Sequence, residues 1–279
     1  MRKQLNKYLP LAYGSYFNIL AIFSKKKATE KAFTLFCTPR KGRVRPEQQE
    51  FLEQAKSRRI KAMDLELQTY HWQGAKETIL LLHGWESNAF RWQKLISILK
   101  NEDYNIVAFD APAHGHSTGA KFNVPLYTEC TKVIIDFYNP KILIGHSVGG
   151  MNSLYNQEKY PNEKIDKIVT IGSPSRLQDI MVHYQQLLKF NDVVMTGLDD
   201  YFMEKFGFRI HEFSTSQFKG HLSKKGLVIH DIEDTIAPFS ASEQVHANWK
   251  NSKFFETKGF GHSMHQDVVN YHILDFIKS

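Results

Sequence analysis

Cysteine is scarce in this chain: Cys37 and Cys130 are the only two among 279 residues, and they show neither a metal-ligand nor a redox spacing. A disulfide-stapled scaffold is thereby excluded, and such sparse use suits a reducing compartment. A clear membrane span is lacking as well. The uncharged run from Tyr8 to Ser24 is 17 residues long and carries Pro10, Gly14, Ser15 and Asn18. Arg2, Lys3 and Lys7 precede it as they would in a signal sequence, but no clean small-residue cleavage site follows, so the expected location is cytoplasmic. There is no internal repeat, no low-complexity stretch and no nucleic-acid module, and nucleic acid is not an expected partner. What is present, 42% apolar and 23% charged residues, is the composition of an ordinary soluble globular protein long enough for one large α/β domain.

Charge is unevenly spread. Residues 1–61 hold 15 Lys/Arg against 4 Asp/Glu, a balance of +11, while the rest of the chain balances at −4. The basic character therefore belongs to an N-terminal arm, read as helical through residue 61, and not to the body from 62 to 279. The apolar residues of the arm, among them Tyr13, Tyr16, Phe17, Ile19, Leu20, Ile22 and Phe23, give it a sticky face. Docking of that face on the body near the cap is the expected role; peripheral contact with an anionic membrane is the alternative.

Beyond the arm, Pro46–Lys61 reads as a helix, and Met63, Leu65 and Leu67 alternate with polar residues as in a half-buried strand. Apolar strands at 78–82, 105–109, 141–145, 168–171, 227–230 and 253–255 then alternate with helical stretches at 90–100, 125–138, 151–160 and 268–277. Such alternation predicts a mostly parallel sheet covered on both faces. One segment breaks the rhythm. Between Ser173 and Gly226 no strand signal occurs; Ile180, Tyr184, Leu187 and Leu188 fall at helical spacing, as do Leu198, Phe202 and Phe206, and Tyr184–Phe218 holds eight Phe/Tyr in 35 residues. A helical insertion covering the site, at about 176–224, is the expectation.

The densest signal is I-L-I-G-H-S-V-G-G, Ile142–Gly150: an apolar strand, then Gly-x-Ser-x-Gly, then a helix. A strand that turns sharply into a helix lifts Ser147 to the apex, with Gly145 and Gly149 where a side chain would collide with neighbouring elements. A phosphate loop would require Lys-Ser/Thr after its glycines, and none follows. Three further motifs each follow a strand. Leu82-His83-Gly84-Trp85 can aim the Trp85 N–H over Ser147, beside the N–H of Val148. His230–Pro238 brings Asp231, Glu233 and Asp234 to the same sheet edge, and Gly259-Phe260-Gly261-His262 follows the last strand. The chain order Ser, acid, His, each after its own strand, is that of one type of Ser-His-Asp triad.

In these motifs the chain, from about Met63 to Lys278, resembles a bacterial α/β-hydrolase-fold protein. H-G-W resembles the oxyanion loop of that family, D-A-P-A-H-G-H-S (Asp110–Ser117) its D-x-P-G-x-G-x-S loop with Ala113 for the usual glycine, and H-D-x-x-D-x-x-x-P its acid loop with Asp231 where glycine is common. The resemblance implies an eight-stranded sheet flanked by helices, a helical cap inserted after the sixth strand, Ser147 as nucleophile, Asp234 as acid and His262 as base. Asp231 and Glu233 stand as alternative acids and His265 as an alternative base. Asp110 orders its own loop in the family, and His114 and His116 lack the further ligands a zinc site needs.

The expected reaction is hydrolysis of a carboxylic ester with an apolar moiety, through an acyl-enzyme, with Trp85 and Val148 N–H groups holding the oxyanion and no metal or organic cofactor. The same triad also serves thioester, C–C, amide and lactone cleavage, and the fold hosts non-catalytic ligand-binding or signalling proteins.

Overall fold

The computed structural model describes the backbone from Arg2 and the side chains from Tyr8, through Ser279. It divides into two compact units: residues 39–175 with 215–279, which carry the sheet, and the chain up to Thr38 with Arg176–Ser214, which is helical.

In the sheet-bearing unit the strands are β1 (Lys56–Ala62), β2 (Leu65–Trp72), β3 (Thr78–Leu82), β4 (Asn105–Phe109), β5 (Ile142–His146), β6 (Lys167–Ile171), β7 (Lys225–Asp231) and β8 (Ser252–Thr257). They form one sheet in the order β1-β2-β4-β3-β5-β6-β7-β8, parallel except that β2 runs antiparallel to both its neighbours. Helices α3 (Pro46–Glu53), α4 (Gln93–Asn101), α5 (Val124–Tyr138), α6 (Val148–Lys159), α9 (Phe239–Asn248) and α10 (Asp267–Lys278) belong to this unit. The pleat sends successive residues to opposite faces. In β3, Ile79 and Leu81 join the core under α4 and α10, while Leu80 and Leu82 join the core under α5, α6 and α9. Burial on both faces is why the parallel strands read as unbroken apolar runs.

The sequence reading differs from the structure at Lys56–Lys61, expected as the end of a helix. The helix stops at Glu53 and this stretch is the edge strand β1, with Ile60 and Ala62 buried and Arg58, Arg59 and Lys61 exposed. A charged outer edge discourages pairing with another chain. The boundary expected at residue 61 therefore falls inside the sheet, and the compact units divide after Thr38.

The helical unit joins α1 (Arg2–Phe23) and α2 (Lys25–Phe36) to α7 (Leu177–Leu188) and α8 (Asp192–Phe206), the latter two inserted in the chain between β6 and β7. Two glycines permit close packing here: a Cβ on Gly14 of α1 would lie 1.7 Å from the Leu188 carbonyl oxygen, and one on Gly197 of α8 would lie 2.0 Å from Thr29 Oγ1. Asn18 serves the corner between α7 and α8, where its Nδ2 donates to the Lys189 carbonyl (3.2 Å) and its Oδ1 accepts the Asn191 N–H (2.7 Å). Phe17, Ala28, Ala32 and Phe33 are buried with Met181, Leu188, Val194, Leu198 and Phe202. The rings of the insertion meet one another and Phe33 and Phe36 of the arm. Pro10 and Gly14 do not interrupt α1. No helix among the described residues is long and apolar enough to cross a membrane.

Candidate active site

Every candidate site residue lies in the sheet-bearing unit, just past the C-terminal end of a parallel strand. Ser147 follows β5 and opens α6 with φ 55° and ψ −125°, a backbone conformation costly for a residue with a side chain. It is held there by its own N–H, which donates to the Ile171 carbonyl at 2.8 Å, and by the absence of side chains around it. A Cβ on Gly149 would lie 2.1 Å from the Leu82 carbonyl oxygen, so only glycine lets α6 start this close to β3.

The turn brings Ser147 to His262, whose loop follows β8. The imidazole bridges two partners: Nε2 lies 3.0 Å from Ser147 Oγ and Nδ1 lies 2.7 Å from Asp234 Oδ2. With Asp234 ionised, Nδ1 carries the proton and Nε2 accepts from the serine hydroxyl. The Asp234 side chain is fully buried. Burial alone would raise its carboxyl, but hydrogen bonds from His230 and His262 and from the N–H groups of Ile236 and Ala237 outweigh it and hold it well below the usual carboxylate range.

The alternative acids and bases stand outside the Ser147–His262–Asp234 array. Asp231 accepts from the Glu233 N–H, the Thr257 hydroxyl and the Phe260 N–H, so it braces the loop that carries His262. Glu233 is exposed, and His265 is exposed one turn beyond His262. Asp110 accepts from the Ala89 and His116 N–H groups and the Tyr70 hydroxyl, ordering its own loop. His114 receives the Glu86 N–H on Nε2 and donates from Nδ1 to the Pro112 carbonyl, while the His116 ring lies 3.0 Å from the Tyr70 hydroxyl. Ala113 has φ 64°, the left-handed conformation that a glycine adopts freely.

The two N–H groups expected over the serine belong to Trp85, in the loop after β3, and to Val148, the first residue of α6. The H-G-W loop passes close to Ser147: a Cβ on Gly84 would lie 2.9 Å from the Ser147 Cβ. Neither the Trp85 nor the Val148 N–H donates to any atom of the described residues, and the latter is one of the donors that a helix start leaves unpaired.

Two histidines with no assigned part in the sequence reading support the array. His146 Nε2 donates to the His262 carbonyl at 2.8 Å, fixing the backbone of that residue. His230, buried beneath Asp234, places Nε2 3.2 Å from Oδ2 and Nδ1 2.6 Å from the Ser242 hydroxyl. The partner of His146 lies 116 residues away, so only the fold discloses its role, whereas His230 reaches Asp234 within its own motif and Ser242 12 residues on. A cleft of about 910 Å³ opens on Ser147 and His262, with Trp85, Phe90, Arg91 and His146 among its walls.

Comparison with known proteins accords with this geometry. The sequence profile of the alpha/beta hydrolase fold family matches residues 77–207. The hydrolase YugF of Bacillus subtilis is 25% identical over 75% of this chain and 93% of its own. A bifunctional esterase/perhydrolase of Acinetobacter calcoaceticus is 23% identical over 72% of this chain and 91% of its own. Among solved structures, a bromoperoxidase from Bacillus anthracis superposes with a TM-score of 0.63 over 80% of this chain and all of that one, at 17% identity. The chain has the α/β-hydrolase fold. Its sheet has the eight strands that the motif resemblance implies, and Ser147, Asp234 and His262 follow β5, β7 and β8.

Proposed function

We propose that this α/β-hydrolase cleaves carboxylic esters through Ser147, His262 and Asp234. The observation that carries the reading is the single imidazole hydrogen-bonded to a serine on a strained elbow at one nitrogen and to a buried, ionised carboxylate at the other. As Ser147 Oγ attacks the ester carbonyl, its proton passes to His262 Nε2. Asp234 keeps the ring in the productive tautomer and stabilises the imidazolium that forms. The tetrahedral oxyanion takes the free N–H groups of Trp85 and Val148, an arrangement in which one donor contributes ~3–4 kcal/mol of transition-state stabilisation. His262 then protonates the leaving alcohol, and water repeats the attack on the acyl-enzyme. Trp85 and Phe90 supply the apolar part of the cleft.

Turnover of p-nitrophenyl acyl esters tests this directly. Ser147→Ala lowers kcat by roughly 10⁴- to 10⁶-fold and abolishes labelling by a fluorophosphonate while the protein stays folded. Labelling at another serine overturns the assignment.

A further inference from the structure

The cleft that opens on Ser147 is predominantly cationic. Arg40, Lys41, Arg43, Arg45, Arg91 and Lys94 line it, against Glu86 as the single carboxylate. Some of these cations are already committed: Arg45 pairs with Glu47 and Lys94 with Asp267. Arg43 donates to the carbonyls of Gly115, Ser117 and Gly119, which fixes its position without cancelling its charge. Arg91 is the informative one. It lines the cleft, packs over the Trp92 ring, and spends Nη2 on the carbonyl of Ser263, next to His262. Its Nε is wholly enclosed and meets no partner, and no carboxylate among the described residues lies within ion-pairing distance of its guanidinium. Burial without a countercharge pushes this guanidinium down to about 9, leaving it cationic at neutral pH. Burial first, and then the charge of Arg91, hold the neighbouring His146 well below its ordinary range.

A half-buried cation with an enclosed Nε and no countercharge is costly, and a planar fork of donors is matched by a carboxylate. The geometry points to a substrate that carries a carboxylate besides the ester it presents to Ser147, with Arg91 as the specificity-determining contact and the Arg40–Lys41 loop as an outer electrostatic guide. This inference rests on the ester-hydrolase reading and names its substrate class: a half-ester of a dicarboxylic acid.

Two isosteric probes isolate the charge: monomethyl adipate, anionic at neutral pH, and its neutral carboxamide counterpart, methyl adipamate. Wild-type protein is expected to favour the anion in kcat/KM by about tenfold or more, with the ratio shrinking at high salt. Calorimetric titration of the Ser147→Ala protein with the same pair reads recognition without turnover, and the same preference is expected in affinity. Arg91→Gln should bring the ratio near one and Arg91→Lys keep part of it, while the exposed double variant Arg40→Gln/Lys41→Gln should lower it only partly. Equal affinity for the two probes overturns the inference, as does a preference that survives Arg91→Gln. Fluorophosphonate labelling of Ser147 is scored separately, so loss of the hydrolase reading and loss of the anion site give different results.

A second surface rests on separate observations. The row of α1 that faces away from α2, α7 and α8 is apolar: Tyr8, Leu9, Leu11, Tyr16, Ile19, Ile22 and Phe23 are exposed, the last two at 79% and 82%. No charged residue occurs between Tyr8 and Ser24, whereas Arg2, Lys3 and Lys7 precede this stretch and the exposed Lys26 and Lys27 follow it, beside Lys25, which pairs with Asp200. An uncharged apolar row with cationic ends matches the plane between acyl chains and anionic headgroups. We infer that α1 lies on an anionic bilayer surface. Flotation with phosphatidylcholine vesicles containing phosphatidylglycerol is expected, with little flotation on phosphatidylcholine alone and a loss of most binding in Ile19→Glu/Phe23→Glu. Absence of flotation on the anionic vesicles overturns this. So does a dimer of the full chain that the same double substitution dissolves, since a second copy would then be the occupant.

Discussion

In the sheet-bearing unit, the side chains of the candidate site each stand within a few residues of a strand end, so local pattern and final position coincide. In the helical unit the decisive partners are far apart: Asn18 reaches Lys189 and Asn191, 171 and 173 positions away. The first unit gains its precision from a parallel sheet that sets loop ends side by side. The second gains its stability from faces that have no partner until two remote segments meet. A local substitution should therefore act on chemistry in one and on assembly in the other.

The largest effect should separate two aspartates three residues apart. Asp234→Asn keeps the shape but favours the wrong imidazole tautomer, and kcat should fall by roughly 10⁴-fold. Asp231→Asn should act mainly on the Thr257–Phe260 loop, lowering stability by ~1–3 kcal/mol with a smaller loss of turnover. Reversed losses in an esterase assay would move the acid to Asp231.

Next in size is Gly14→Ala in α1. Helix propensity alone favours alanine by about 1 kcal/mol. The added Cβ would lie 1.7 Å from a backbone oxygen that cannot swing aside, and such overpacking costs ~3 kcal/mol or more. The clash should win, with a net loss of about 2 kcal/mol in the helical unit, read as a lower melting temperature. A stabilised variant would disprove the close approach of α1 to α7.

A third test uses acid. Burial pushes both His114 and His221 down to about 4, and it also lowers His83 and His146, all in the sheet-bearing unit. The unfolded chain takes up protons below its histidine value of ~6.5 that the folded chain refuses, so stability falls as pH falls from 6.5 towards 4. At pH 5 His114 and His221 should each cost up to about 2 kcal/mol. Asp110, whose carboxyl burial raises, works in the opposite direction. Urea midpoints equal at pH 7 and pH 5 would contradict this.

The smallest effect expected is a gain. Ala113 sits in the left-handed region at φ 64°, which costs ~1–2 kcal/mol for a residue with a Cβ. Ala113→Gly removes that strain but loses a buried methyl and adds unfolded-state entropy, leaving about 0.5 kcal/mol of net stabilisation. A loss of stability larger than this would show that the methyl contact outweighs the strain.

The same contrast explains what could be read from the sequence. The parallel strands, the elbow at Ser147 and the strand-end placement of Asp234 and His262 follow from periodicity and punctuation within a dozen residues. Edge strand β1 was hidden because Lys56–Lys61 is rich in residues that suit a helix, and only pairing with β2 defines it. The apolar face of the arm predicts packing near the cap, but which side chains of α1 and α2 meet α7 and α8 depends on partners far away in the chain. Arg91 sits in an unremarkable helical stretch. Its significance comes from the absence of a carboxylate around it, which no spacing rule can express.

The remote pairing within the helical unit also has a consequence for biosynthesis. The first 38 residues leave the ribosome 138 residues before the insertion begins at Arg176. At ~5–20 residues per second, α1 and α2 wait roughly 7–28 s with Phe17 and Phe33 uncovered. During that interval the nascent chain presents sticky apolar helices while the sheet is still being completed. Chaperones, or a lipid surface close at hand, are then the partners available to the arm, well before its own helices are.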